Sequence, residues 1–577
     1  MQRRSFLAMT GLGGAQLCFG GGPSLASSSA RGIYAALLER NDDALARQLE
    51  RQQLDPSHPG HGGLPDEYEL YHAGSAAGLL RDGAIALVSP ESRYFRSALV
   101  RERLLLVTRF LRRAQHEDGT IDLLTTNFHS PPDTGFCVEW IAAACGLLRA
   151  SARRDSDAAL AALVEEIESF LTRAAQALTI GGVHTPNHRW VICMALARVN
   201  ALLPDARYVE RIDAWLAEGI DIDADGQYTE RSTAIYSPLT NRCLLIVARL
   251  LGRPELLEPV RRNLAMSLHY LHADGEIATE GSRRQDQHRA SSFARYYIAY
   301  RCLALADRDG RFAAAARWLE RDFASELVGD LVFLVEDSAL RAELPADAPL
   351  PTNFARHYAA SDLVRIRRNA LSATILGDNA SFLSLHAGGA AVVMRCASAF
   401  FGKGQFVGDR VREQDGAWLM EQRLEGPYWQ PLPPELRTGS NDWARIDRTT
   451  RTPSEVQRLH TTLSVRELRE GEDHGLAVEL AIEGTEGVPV AIELAFRAGG
   501  HFRGEHLREL GGARRVRLLE SGHARYELGV DAIEFGPGRS SHRWTEIRGA
   551  LPPLDGELVF LAGMTPFRTS LRLMARR

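Results

Sequence analysis

The sequence predicts a multidomain protein, α first and then β: an N-terminal (α/α) toroid of helical hairpins followed by a C-terminal antiparallel β-sandwich domain. Three observations carry this. A chain of 577 residues is too long for one core. Its apolar period changes from three-four to two near residue 350. An Asp-Gly turn also recurs between helical segments of the first half.

In chain order, residues 1–30, "MQRRSFLAMTGLGGAQLCFGGGPSLASSSA", open on Arg3-Arg4 before Ser-Phe-Leu, pass through a weakly apolar Gly-rich stretch and end among small residues at Ala26 and Ala30. This is the arrangement of a twin-arginine export signal, and a periplasmic or secreted mature protein is expected. Cys18 lacks the preceding small residue that a lipoprotein site needs, so no lipid anchor is expected. Residues 31–325 hold "YAALLERNDDALARQLERQQ", "LVRERLLLVTRFLRRAQ", "DAALAALVEEIESFLTRAAQAL", "PLTNRCLLIVARLLG" and "RFAAAARWLERDFA", each with apolar residues on one helical face. Between helices, His116-Glu-Asp118-Gly119-Thr-Ile121, Asp223-Ala-Asp225-Gly226-Gln-Tyr228 and His272-Ala-Asp274-Gly275-Glu-Ile277 share one pattern, a turn with a short extended piece after it. Repeated hairpins of this kind close into a toroid and open their turns on one end. Residues 326–350 are Pro-rich without a strong period and are expected to be a linker. Residues 351–577 alternate in short runs broken by Gly, Asp and Asn, as in "LSATILGDNASFLSLHAGGAAVVMRC", "HTTLSVRELRE", "LAVELAIEG", "VPVAIELAFRAGG", "RRVRLLESGHARYELG" and "GELVFLAGM", which reads as many antiparallel strands.

Composition excludes several classes. The net charge is -5, against nucleic acid as a partner. No stretch after the signal reaches the roughly 18 uninterrupted apolar residues of a membrane span. Lys403 is the only lysine, which reads as codon bias. Cys137, Cys145, Cys193, Cys243, Cys302 and Cys396 sit in apolar pattern with no CxxC pair, so buried free thiols are expected. "FFGKGQF" lacks the spacing of a phosphate-binding loop, and neither GxSxG nor HExxH stands out. Trp140, Trp190, Tyr228, Phe400 and Trp429 could stack on sugar rings, with core packing the commoner use.

The chemistry gathers after the turns. Asn127, His129 and Asp133 follow the first Asp-Gly. Asn187, His188 and Arg189 follow Gly181-Gly182. Arg231 and Tyr236 follow the second, and Glu280, Arg283, Arg284, Asp286 and His288 the third. Any one of these could merely cap a helix, but their recurrence beside one turn type favours a shared cleft. The set suits β-elimination on a uronic-acid chain. Amide, imidazole or guanidinium groups neutralise the carboxylate so that the adjacent C5 proton can leave. A base takes that proton and an acid protonates the departing glycosidic oxygen, while arginines hold the polyanion bidentately.

With Asn187-His188 at a helix start, Tyr236 after an Asp-Gly loop and a β-domain behind, the chain resembles the heparinase II/III-like polysaccharide lyases. That group is similar to exolytic alginate lyases and more distantly to chondroitin and hyaluronan lyases. The resemblance implies that Asn187 and His188 neutralise the carboxylate and that Tyr236 moves the proton; Asn127, Arg231, Arg283 and Arg284 are the candidates for binding an anionic polysaccharide. It departs from the group where a His-x-His-x-Asp segment belongs. Here the β-domain offers His386 alone, with His357 further upstream, each expected to be structural. A lone His brings too few ligands for a metal, so no cofactor is expected and no ligand cluster supports a structural divalent ion. Without a β-domain His, Tyr236 would serve as both base and acid. Two other readings stay open: a glycoside hydrolase using a carboxylate pair among Glu139, Asp225, Glu230, Glu280 and Asp286, and a non-catalytic carbohydrate-binding envelope protein.

Overall fold

A computed structural model describes residues 32–437, 439, 442–443, 446–511 and 515–576; the expected export signal, with Arg3, Arg4 and Cys18, lies outside the described residues. The chain forms two units. One is helical and holds the residues up to Leu268 together with Ser282–Leu350; the other holds His269–Gly281 and the chain from Pro351 onward.

The helical unit contains α1 (Ile33–Arg51), α2 (Ala73–Val88), α3 (Ala98–Ala114), α4 (Pro131–Asp155), α5 (Ala158–Ile180), α6 (Pro186–Leu202), α7 (Ala206–Leu216), α8 (Tyr236–Leu251), α9 (Leu257–Ser267), α10 (Tyr297–Asp307), α11 (Gly310–Asp322) and α12 (Leu331–Glu336). Helices α2, α4, α6, α8 and α10 pack each on the next, and α12 returns to α1, α2 and α4, closing the toroid. The sequence shows why the even-numbered helices are inside. Nearly every residue of α6 from Asn187 to Val199 is buried, as a helix apolar all round must be. In α4, Gly135 permits close approach: a Cβ there would lie 3.1 Å from Cγ1 of Val191 on α6. Helix α4 has the length and hydropathy of a membrane span, but 67% of that window is buried inside the protein. Cys137, Cys145, Cys193, Cys243 and Cys396 are buried, Cys302 is partly so, and all six are free.

The stretch 326–350 is more than a connector. It carries α12, whose Leu331, Val332, Phe333 and Leu334 are buried. A single apolar run of this length is too short to show a period, so pattern alone misses it.

The three Asp-Gly turns are built alike. The first residue of each donates its N–H across the turn, His116 to Thr120 O, Asp223 to Gln227 O and His272 to Glu276 O, all at 2.9 Å. Gly119, Gly226 and Gly275 hold φ of 88°, 101° and 91°, left-handed values that glycine adopts without strain. The third turn differs in allegiance: it lies in the sequence between α9 and α10 but packs with the β unit. Its edges explain this, since Arg365 Nε donates to His269 O at 3.1 Å and Arg367 Nη1 to Leu271 O at 2.8 Å.

The β unit is two sheets. The nine-stranded sheet runs, edge to edge, through Leu507–Leu510, Val516–Leu519, Glu557–Met564, Pro489–Phe496, Ala390–Ser398, Leu383–Ala387, Leu371–Leu376, Leu363–Arg368 and Asn353–Tyr358. The eight-stranded sheet runs through His501–Arg503, Ala524–Leu528, Asp531–Gly536, Phe567–Arg576, Asp473–Gly484, Pro453–Glu470, Ala417–Trp429 and Arg412–Gln414. Pairing is antiparallel except between Val516–Leu519 and Glu557–Met564. Alternate residues of facing strands fill the sandwich: Val392, Met394, Ile492 and Leu494 from one sheet, Leu463, Val478, Leu480 and Leu571 from the other.

Candidate functional site in the helical unit

The start of α6 does not use Asn187 or His188 as a cap. Thr185 is the N-cap residue and makes no side-chain cap bond, while Pro186 opens the helix. Asn187, one residue further in, points its amide elsewhere: Nδ2 donates to Glu230 Oε2 at 2.6 Å and to Thr185 Oγ1 at 3.2 Å. Its Oδ1 is buried with no hydrogen-bond partner among the described residues. His188 is buried beside it, edge-on to His184 at 4.6 Å and to Phe136 of α4 at 6.1 Å between ring centroids. Burial, then the neighbouring His184 and Arg284, push its pKa from 6.5 down to about 3. The ring is therefore neutral under physiological conditions and offers a hydrogen bond, not a charge. Its Nδ1 has no partner among the described residues.

Glu230 joins Asn187 to the rest. Its carboxylate meets Arg284 Nε at 3.3 Å, and burial lifts its pKa above the ordinary value against the pull of Asn187 and Arg284. The Arg284 guanidinium lies 5.2 Å over the Tyr236 ring, and the Tyr236 hydroxyl accepts from Gln285 Nε2 at 2.8 Å. Two loops are locked together to make this possible. Asp286 accepts from Ser232 Oγ at 3.0 Å, from Ala234 N at 3.1 Å and from Ser282 Oγ at 2.5 Å, and Arg283 N donates to Glu230 O at 3.1 Å. The result is one connected set, Asn187–Glu230–Arg284–Tyr236, with His188 alongside.

The remaining expected residues are placed less centrally. Asn127 donates to Asp133 Oδ2 at 2.8 Å at the start of α4, where Ser130 caps the helix; Phe136, which meets His188, is one turn on. Arg231 ends the second turn in left-handed backbone, φ 52°. The Arg283 side chain is exposed. Among the carboxylates considered for hydrolysis, Glu139 is fully buried against Arg242 at 2.8 Å. Asp286 is occupied as above, and Glu280 lies in the β unit. Trp190 and Tyr228 are core residues that bond Asp221 and Asn241.

Sequence reasoning missed the linking role of Glu230, and it missed Gln285 and His184; only the position of Glu230 between the Asp-Gly turn and Tyr236 hinted at it. It did not foresee the neighbours of His386. That residue has company: within the β unit, one donor atom each from His272, Glu280 and His386 lies within 4.8 Å of the others. The two partners sit in the third Asp-Gly hairpin, more than a hundred residues upstream, so no local spacing could reveal them. His357 is half-buried on the edge strand Asn353–Tyr358, opposite Val364.

No family model and no curated protein matches the chain. Solved structures do. A chondroitin AC lyase of Streptomyces coelicolor A3, solved with chondroitin sulphate, superposes with a TM-score of 0.53 at 15% identity, covering 96% of this chain and 80% of that one. A Paenibacillus xanthan lyase gives 0.52 at 11% identity, over 94% of this chain and 57% of that one. The chain therefore has the fold of these enzymes, a helical toroid followed by antiparallel β-sheets.

Proposed function

We propose that the protein is a polysaccharide lyase that cleaves a uronic-acid-containing chain by β-elimination at the Asn187–His188–Tyr236 cluster. The observation that carries this is the connection of Asn187 to Tyr236 through Glu230 and Arg284, over residues far apart in sequence. On substrate binding Asn187 turns one Nδ2–H from Thr185 to the uronate carboxylate, and neutral His188 donates beside it. Negative charge developing at C5 is delocalised onto that carboxylate and met by their dipoles. Tyr236 acts as the phenolate, its hydroxyl proton given up to solvent beforehand: it takes the C5 proton, the C5–H electrons form the C4–C5 double bond as the C4–O bond breaks, and the departing oxygen receives that same proton from the Tyr236 hydroxyl, which restores the phenolate. Arg284 sets a positive charge beside that phenolate, a favourable pairing in a site of low dielectric. Arg231, Arg283 and Asn127 are assigned to polyanion binding. The resemblance to heparinase II/III-like lyases supports the Asn-His-Tyr assignment, and the neighbours of like fold act on chondroitin or xanthan. An Arg3-Arg4 leader supports export to the periplasm or beyond, where such polymers are met. The test is a panel of uronans, chondroitin sulphate, xanthan and alginate among them, with the ultraviolet absorbance of the unsaturated product followed and its mass measured. Products heavier by water, without that absorbance, would mean hydrolysis and sink the reading.

A further inference from the structure

The β unit holds a second polar cluster that the proposed elimination does not use. His272 opens the third Asp-Gly turn, Glu280 closes the same hairpin, and His386 stands on the strand Leu383–Ala387. The imidazoles of His272 and His386 are stacked, centroids 3.8 Å apart and planes 13° from parallel, so both rings present an edge to Glu280. His386 Nε2 lies 3.2 Å from Glu280 Oε1. All three side chains are buried, His272 at 3% exposure, Glu280 at 4% and His386 at 8%.

Behind them stands a set of orienting groups. His272 Nδ1 meets Ser372 Oγ at 3.0 Å, and Arg365 Nη2 donates to that same oxygen at 2.8 Å. Ser384 Oγ donates to Glu280 Oε1 at 2.7 Å. Histidine ligands are typically fixed in this way, with the second ring nitrogen bonded to an outer partner.

We infer that His272, Glu280 and His386 form a binding site for a divalent transition-metal ion, zinc by donor type, that ties the 269–281 hairpin to the sheet of the β unit. Two imidazole nitrogens and a carboxylate suit zinc, leaving a fourth position for water. A spread of up to 4.8 Å between donor atoms closes to tetrahedral spacing by small side-chain rotations. Two stacked imidazoles beside a carboxylate gain more from a shared cation than from each other. Arg365 supplies the competing arrangement, a neutral network in which its charge balances Glu280 without a metal.

Metal analysis of the full chain decides between them. The chain would be stripped with a chelator, titrated with zinc chloride in a calorimeter, and analysed by mass spectrometry of the eluted metal. One zinc per chain is expected, with a rise in melting temperature on addition. Neither Glu280→Gln nor His386→Ala should bind stoichiometrically or show that rise, and Ser372→Ala should bind about tenfold more weakly. His501→Ala, outside the cluster, should match the wild type. If the ligand variants fail to fold, cobalt(II) added to the stripped wild type gives a second measurement, with visible absorption of a tetrahedral site expected. No bound zinc and no cobalt spectrum in the wild type would overturn the inference, as would full binding by folded Glu280→Gln and His386→Ala.

Discussion

Replacing Asn187 by Ala separates a helix-capping residue from a working one. If Asn187 capped α6, its loss would cost about 1 kcal/mol at any pH. The structure gives a different expectation, because Thr185 holds the N-cap position and Asn187 Nδ2 donates at 2.6 Å to Glu230, which is 7% exposed. A hydrogen bond to a charged group contributes about 1.5–3 kcal/mol, and Arg284 at 3.3 Å remains to share the load, so about 2 kcal/mol is expected near neutrality. The loss should also depend on pH. Burial raises the Glu230 pKa above 4.5, and Asn187 is among the groups pulling it down, so the variant should raise it further. A group whose pKa is raised on folding favours the fold most below its unfolded value and loses that contribution as pH climbs through the folded one. The variant's deficit should therefore be small below about pH 4.5 and grow to its full size above the raised pKa. Urea unfolding followed by tryptophan fluorescence, in acid and near neutrality, measures it. An equal deficit at both would refute the Glu230 argument. Turnover should fall by about a hundredfold or more, as for loss of an oxyanion-stabilising donor, and near-normal turnover would remove Asn187 from the mechanism.

Tyr236→Phe should abolish elimination while retaining polysaccharide binding, because only the proton-carrying oxygen is lost; titration of the variant with substrate, beside the absorbance assay, checks both halves. His188 is depressed from 6.5 to about 3, so the folded protein binds fewer protons than the unfolded chain between those values. Its contribution to stability is complete above 6.5 and lost as pH falls toward 3. In His188→Gln the pH dependence of the unfolding midpoint should flatten over that window, and an unchanged slope would count against the burial argument. Replacing Arg3 and Arg4 by Lys should leave the precursor in the cytoplasm, measured by fractionation, because the pair is read by a receptor; export at the wild-type level would leave an ordinary secretory signal.

The fold was legible because it rests on local periodicity. The windows read as helical became α1, α3, α5, α8 and α11, and the Asp-Gly repeat became three turns with the same cross-turn hydrogen bond. The site was legible only in part. Asn187, His188, Tyr236 and Arg284 could be singled out because each follows a turn, but Glu230 acts by reaching back 43 residues to Asn187, a relation that no spacing rule encodes. The same reason hid His272 and Glu280 from His386, since Glu280 lies 106 residues before it and His272 farther still. The buried run in α12 failed differently, being too short to show a period at all.

The hairpin 269–281 makes the β unit discontinuous in the chain, and that governs the order of assembly. At synthesis the hairpin emerges some seventy residues before Pro351, so Tyr270, Leu271, Ile277 and Ala278, all at most 5% exposed in the finished protein, have no sheet to cover them while α10, α11 and α12 form. The hairpin is settled only when Arg365 and Arg367 arrive to take the carbonyls of His269 and Leu271. A chain ended at Leu350 would lack the donors for those two carbonyls, and one begun at Pro351 would leave Arg365 Nε and Arg367 Nη1 without them. Neither half can be inherited or transplanted by a single cut, which binds toroid and sandwich into one heritable piece.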